Sequence, residues 1–495
     1  MLLKNFFSKQ STDNQWQPII KALQKIVGKD GVVQRKDELL TYECDGLPSY
    51  RQRPPVVVLP RTTEQVAEVL KLCDQYDLPW VARGAGTGLS GGALPIENGV
   101  LIVTARMNRI LETDIDNQRV VVQPGVINNW VTQAVSGKGF YYAPDPSSQI
   151  ICSIGGNVAE NSGGVHCLKY GVTTNHVLGL KIVTPEGSIM EIGGTVPEMP
   201  GYDLTGVFVG SEGTLGIATE ITLRILKSPE SVALLMADFE TIEEAGNAVA
   251  AIIGDGIIPA GMEMMDNLTT NAVEDVVGAG CYPRDAGAIL LVELDGSEVE
   301  VTHNSERTAQ ICRDNGARDT TIARDPDKRA KLWKGRKAAF AAAGHLSPDY
   351  FVQDGVIPRT QLATVLRDIE ALSKEYGYRI ANVFHAGDGN LHPLILYDES
   401  VEGSLEIVEE IGGKILKRCI EAGGSISGEH GIGADKNCYM SDMFSEVDLE
   451  TMQYVRGAFN PKGLANPTKL FPTPRTCGEA ANASQSAEFQ GAQLY

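Results

Sequence analysis

The sequence predicts an α+β protein of two unlike halves, and three observations carry that reading. Short β-branched runs between glycine-rich turns fill the first half of the 495 residues. Longer amphipathic helices alternating with strands fill the second. The length and an apolar content near the average favour two or three cores over one.

Residues 1–50 read as an N-terminal helical preface, with helical periodicity over Trp16–Val27. A first domain over residues 51–230 begins at Pro54-Pro55. Its expected strands are Val56–Leu59, Trp80–Ala82, Val100–Val103, Val120–Gln123, Leu180–Val183 and Ile217–Ile225, with one clear helix at Glu64–Tyr76. A second α+β domain over residues 231–440 is expected to hold helices Glu243–Ile253, Ala330–Ala343, Leu362–Tyr376 and Leu405–Ala422 beside strands Ala288–Glu293 and Ile380–Phe384. Residues 441–475 form a C-terminal segment that returns to the first domain. Residues 476–495 are small, polar and aperiodic, as in a tail.

A formal net charge of −20 argues against nucleic acid or an anionic membrane as a general partner, so an anionic substrate needs a local positive site. No run approaches the ~20 apolar residues of a membrane span, and the chain reads as cytoplasmic. Nine cysteines stand singly with no C-x-x-C pair, which fits reduced thiols and excludes a closely spaced iron–sulfur cluster.

The densest motif of the first half is Arg83-Gly84-Ala85-Gly86-Thr87-Gly88-Leu89-Ser90-Gly91-Gly92. It contains a formal G-x-G-x-x-G, yet no helix follows it. Pro95 and Gly99 interrupt the next stretch before another strand begins, so the nicotinamide fingerprint fails on context. A loop from strand to strand whose N–H groups converge on a diphosphate, without a helix dipole, is the physical reading. A glycine-rich hairpin shaped for packing is the alternative. Three further stretches favour a long cofactor: Pro144–Ser148, Cys152–Gly164 and Gly210–Ile217.

Three of the seven histidines fall in two compact motifs, Asn382-Val-Phe-His385-Ala-Gly-Asp-Gly-Asn390-Leu-His392 and Ser427-Gly-Glu429-His430-Gly-Ile-Gly433. The turn chemistry of 386–390 folds His385 and His392 together as a hairpin. Glu429 then completes a two-His, one-carboxylate metal site with open positions. Hydrogen-bonded core histidines are the alternative.

On these motifs the sequence resembles, over roughly residues 50–472, the family of FAD-linked oxidoreductases that holds the glycolate oxidase FAD subunit and D-lactate dehydrogenase. Its FAD-binding domain is of the vanillyl-alcohol oxidase type. The resemblance implies that domain, a ferredoxin-like α+β substrate domain and a C-terminal segment. It places the FAD pyrophosphate on Arg83–Gly92, the flavin on the stretch containing Ser153, Gly156, Asn157, Asn161, Gly163 and Gly164, and the adenosine half near Glu212 and Ile217. Pro144, Asp145, Gly171 and Asn466 join the cofactor set. Ala85 and the absence of any histidine in the loop point to non-covalent FAD.

The resemblance further implies zinc or a similar divalent ion, zinc or manganese, on His385, His392 and Glu429, with His430 as catalytic base. By spacing alone Arg336 reads as a solvated helix residue; the resemblance makes it the grip on the substrate carboxylate, with Asn390 beside it. Relatives selective for a five-carbon dicarboxylate are expected to carry Lys at Val352 and Thr at Phe340. The apolar pair here favours glycolate or D-lactate over D-2-hydroxyglutarate. The expected reaction takes a small 2-hydroxy acid to the 2-oxo acid, with electrons leaving to an external acceptor such as a quinone or an iron–sulfur partner subunit, at most peripherally at a membrane. Two other readings stay open: D-2-hydroxyglutarate dehydrogenase, and a metallohydrolase with purely structural glycine loops.

Overall fold

The structure, a computed structural model, describes residues 16–197, 200–278 and 280–472; the expected tail at 476–495 lies outside them. Two sheets build the first half. The first runs in the order Val32–Val33, Val56–Val58, Val100–Val103, Trp80–Arg83, with the last three strands parallel. Its valine-rich strands are buried on both faces, as parallel strands usually are. The helix Thr63–Gln75 starts where the Thr62 side chain accepts a hydrogen bond from Gln65 N at 3.3 Å, and it buries Val66, Val69, Leu70 and Cys73 against this sheet. The helix Trp16–Val27 packs Ile20 and Leu23 into the same core, so the N-terminal segment is built into this domain.

The second sheet is antiparallel, in the order Ile110–Asp114, Arg119–Val122, Ile217–Arg224, Val177–Val183, Ile189–Gly193. Between Trp80–Arg83 and its parallel neighbour Val100–Val103 runs the glycine loop, with no helix in it.

The second half is one seven-stranded antiparallel sheet, in the order Ala317–Ala323, Ser231–Phe239, Ala288–Gly296, Gly261–Asp266, Ile380–His385, Pro393–Tyr397, Asp349–Val352. Taken in chain order, its first four strands stand as 4-1-3-2, the ferredoxin-like arrangement, and the other three extend it. Side chains alternate across the sheet. Leu235, Ala237 and Met264 meet the helices Ile242–Gly254 and Glu298–Asp314, whereas Leu234, Met265 and Leu291 meet the face covered by Asn267–Val277. After the helix Glu446–Phe459 the chain returns to the first sheet, where Trp80 N donates to Leu464 O (2.9 Å) and Asn466 N to Trp80 O (2.8 Å).

Several expected elements change. The helix expected at Ala330–Ala343 is two, Pro326–Lys337 and Ala339–Ala343, meeting at Ala338; the first begins on Asp325 as N-cap with Pro326 behind it. The glycine stretch after Cys152 contains a short helix, Ile154–Glu160, begun by Ser153. Cys438 is disulfide-bonded, a pairing that spacing does not reveal, so the expectation of reduced thiols fails there and holds for Cys44, Cys73, Cys152, Cys167, Cys312 and Cys419. Among the described residues no helix is long and apolar enough to cross a membrane.

Candidate active site

One cavity connects the two motif regions. Arg83, Gly84, Ala85, Gly86, Thr87, Gly88, Leu89 and Gly92 line it at one side and Phe340, Glu429 and His430 at another. Ser153, Gly156, Asn157, Glu212 and Ile217 also face it, as do Cys152, Pro146, Ser148 and Glu160.

The glycine loop is anchored at its ends. The Arg83 guanidinium donates to Cys44 O at 2.6 Å, and Asn466 donates to Gly92 O at 3.0 Å and to Glu212 O at 2.6 Å. Between these anchors the N–H groups of Gly86, Thr87, Gly88 and Leu89 donate to no protein acceptor among the described residues. Nothing lies within 4 Å of where a Gly88 Cβ would stand, so the cavity has room there. Gly86 has φ +71° and folds over the Arg83 side chain, a position that excludes a side chain. Free N–H donors on a backbone open to a cavity fit a diphosphate. Ser153 Oγ accepts from Ala85 N at 3.2 Å, so the loop meets the N-cap of the short helix rather than standing alone.

The other expected cofactor residues do not line this cavity. Ser90 is buried and donates to His430 O at 2.9 Å, tying the two motifs together, while Gly91 packs by Ala434. Pro144 O accepts from Asn128, and Asn161 caps the short helix in the left-handed region. Gly163 lies against Glu429, Gly164 against Asp145, and Gly171 ends the helix Cys167–Tyr170. Asp145 pairs with His166 at 2.9 Å, whose other nitrogen lies 3.0 Å from Glu293 in the second half. Burial pulls the His166 pKa down, but these two carboxylates outweigh it and raise it well above the ordinary value.

The hairpin forms. His385 ends one strand and His392 precedes the next, with rings 5.2 Å apart, edge to face. Both Nε2 atoms lie 3.3 Å from Glu429 Oε1, and ligand atoms of the three residues fall within 4.8 Å of one another. Among the described residues, both ring nitrogens of His392 and Glu429 Oε2 are buried without a hydrogen-bond partner. Two imidazoles and a carboxylate converging with unsatisfied lone pairs fit a divalent cation. Burial raises the Glu429 pKa, but the three surrounding histidines bring it down to about 2. His430 stacks on His392 at 4.9 Å; burial lowers its pKa against the pull of Asp354 and Glu429.

Three carboxylates support this cluster; of these the sequence reading names only Glu212, through the resemblance and as a cofactor residue. Asp354 Oδ2 accepts from the N–H groups of Gly428 (3.0 Å), Glu429 (2.9 Å) and His430 (2.7 Å), and its other oxygen pairs with buried Lys436. Glu212, reaching across from the first domain, accepts from Ile432 N and Gly433 N, each at 2.7 Å. Glu263 Oε1 lies 2.6 Å from His385 Nδ1. An acidic residue inside the apolar strand Met262-Glu-Met-Met is the signal that points to it.

Arg336 is 2 % exposed, not solvated, and its Nη2 lies 2.5 Å from Glu263 Oε2, an ion-pair contact without hydrogen-bond angles; Nε has no partner. Asn390 is buried with Oδ1 unpartnered. Phe340 reaches the cavity with its ring 5.8 Å from His392, whereas Val352 packs in the apolar cluster of Leu394 and Ala381.

Residues 54–193 match the family described as FAD binding domain, and residues 228–470 the one described as FAD linked oxidases, C-terminal domain. The glycolate oxidase subunit GlcD of Escherichia coli K12 is 51 % identical over 461 residues, covering 93 % of this chain and 92 % of the relative. The chain belongs to the FAD-linked oxidase family. D-lactate dehydrogenase of Anaerostipes hadrus is 35 % identical, covering 85 % of this chain and 90 % of its own length. Among solved structures, 4-ethylphenol oxidase from Gulosibacter chungangensis superposes with a TM-score of 0.78 at 19 % identity, covering 94 % of this chain and 98 % of that one. This FAD-linked oxidase thus has the vanillyl-alcohol oxidase type of fold.

Proposed function

We propose that the enzyme oxidises a small 2-hydroxy acid, glycolate or D-lactate, to the 2-oxo acid, using non-covalent FAD and a divalent ion, zinc or manganese. The observation that carries this reading is the single cavity from the free N–H groups of Gly86–Leu89 to Glu429 and His430. Relatives named as a glycolate oxidase subunit and a D-lactate dehydrogenase support the substrate class. His385, His392 and Glu429 would hold the ion. When bound, FAD supplies a hydride acceptor and the ion supplies Lewis acidity toward substrate oxygen. His430, at the cavity wall, takes the hydroxyl proton. Arg336 supplies the buried positive charge for the carboxylate and Asn390 a polar contact. Phe340 shortens the cavity beside His392 and so favours two- and three-carbon acids. Electrons leave to an external acceptor, a quinone or an iron–sulfur partner; that the Escherichia coli relative is named as a subunit supports a partner.

The test is anaerobic reduction of the bound flavin by glycolate, D-lactate, L-lactate and D-2-hydroxyglutarate, with and without chelation. Glycolate or D-lactate should reduce it fastest, and chelation should slow it. Faster reduction by D-2-hydroxyglutarate sinks the substrate assignment, and indifference to the chelator sinks the metal. His430→Ala should keep FAD and lose about 10²–10⁴-fold in the reduction rate.

A further inference from the structure

We propose that Glu263 is a positioning residue that couples metal binding to substrate-carboxylate binding; the inference rests on the reading of His385 as ligand and Arg336 as anchor. Glu263 is fully buried on the strand Gly261–Asp266, directly opposite His385 in the register with Ile380–His385. One carboxylate oxygen faces His385 Nδ1 at 2.6 Å and the other faces Arg336 Nη2 at 2.5 Å. The first contact makes Nδ1–H a donor, which leaves the lone pair on Nε2, the nitrogen turned toward Glu429. Without an acceptor at Nδ1 the imidazole is free to take the other tautomer or to turn over. The second contact gives the buried guanidinium its only carboxylate neighbour among the described ion pairs. Packing alone does not ask for a carboxylate here, since Met262, Met264 and Met265 on the same strand are apolar and a buried charge is costly.

Two variants separate the two contacts. Glu263→Gln keeps the shape, lets the amide oxygen accept from His385 Nδ1–H, and turns an N–H group toward Arg336. It should retain its metal through dialysis, keep full flavin content, and raise KM for the hydroxy acid about tenfold with a smaller change in kcat. Glu263→Leu removes both contacts and should lose about 10–100-fold in metal affinity, read by elemental analysis after dialysis against a chelator and by the thermal shift on adding zinc or manganese. A Glu263→Gln enzyme with unchanged KM overturns the proposal, as does a Glu263→Leu protein that holds metal like the wild type. His385→Ala separates the two levels: if it too keeps its metal, the ligand assignment has failed; if it loses metal while Glu263→Leu does not, only the role of Glu263 has failed.

Discussion

The glycine loop at 83–92 and the histidine loop at 427–433 are both rich in glycine and both border the same cavity, yet they use their backbones in opposite ways. In the first, four consecutive N–H groups have no protein acceptor among the described residues. In the second, six consecutive N–H groups from Gly428 to Gly433 all donate to side chains, to Asp354, Ser427 or Glu212. A free backbone can serve a ligand directly; a satisfied backbone instead fixes the side chains it carries. Gly433, at φ +57° with the Ser90 carbonyl where a Cβ would go, shows that glycine in the second loop answers to packing.

The sharpest way to break this contrast is Asp354→Asn. It leaves the buried Lys436 charge unpaired and weakens three loop hydrogen bonds, so unfolding should cost about 3–5 kcal/mol less in a denaturant titration. FAD content of the folded fraction should fall less than stability does, because the glycine loop's anchors on Cys44 O and Asn466 do not involve Asp354 and, among the described hydrogen bonds, only the one from Ser90 to His430 O links it to the loosened segment. Loss of FAD in proportion to loss of stability would show that this one link governs the glycine loop.

A smaller effect is expected where the two halves meet at His166. Its raised pKa means that its contribution is fully present below the unfolded value of about 6.5 and is lost as pH rises through the higher folded value. His166→Gln should therefore cost about 1.5–3 kcal/mol at acidic pH, with the gap to the wild type closing in melts at alkaline pH. A gap that is constant with pH would refute the charged pairing with Asp145 and Glu293. The smallest effect on global stability belongs to Gly86→Ala, which adds about 1–2 kcal/mol of backbone strain; its Cβ would meet the Arg83 guanidinium and loosen that anchor, seen mainly as faster FAD release on gel filtration.

What could be read in advance follows the range of the interactions. The strand-to-strand course of the glycine loop was visible because Pro95 and Gly99 forbid a helix locally. The hairpin that brings His385 to His392 was visible because its turn residues are adjacent in sequence. Asp354 was not: it follows an ordinary strand, and its meaning comes from a loop more than seventy residues later, at Gly428–His430. Arg336 was misjudged from its own helix for the same reason, since the partner that buries it lies at Glu263. The helix Ile154–Glu160 was hidden by two glycines, poor helix formers that its place against the glycine loop tolerates.

The clasp on the histidine loop has a consequence for anyone recombining these enzymes. Asp354 belongs to the second half and Glu212 to the first, and they grip neighbouring residues of one short segment. Exchanging substrate domains between relatives at the boundary near residue 230 would separate that segment from half of its support. A working chimera should need Glu212 and the 427–433 segment drawn from compatible parents, so this pair of contacts acts as an inheritance unit that crosses the domain border.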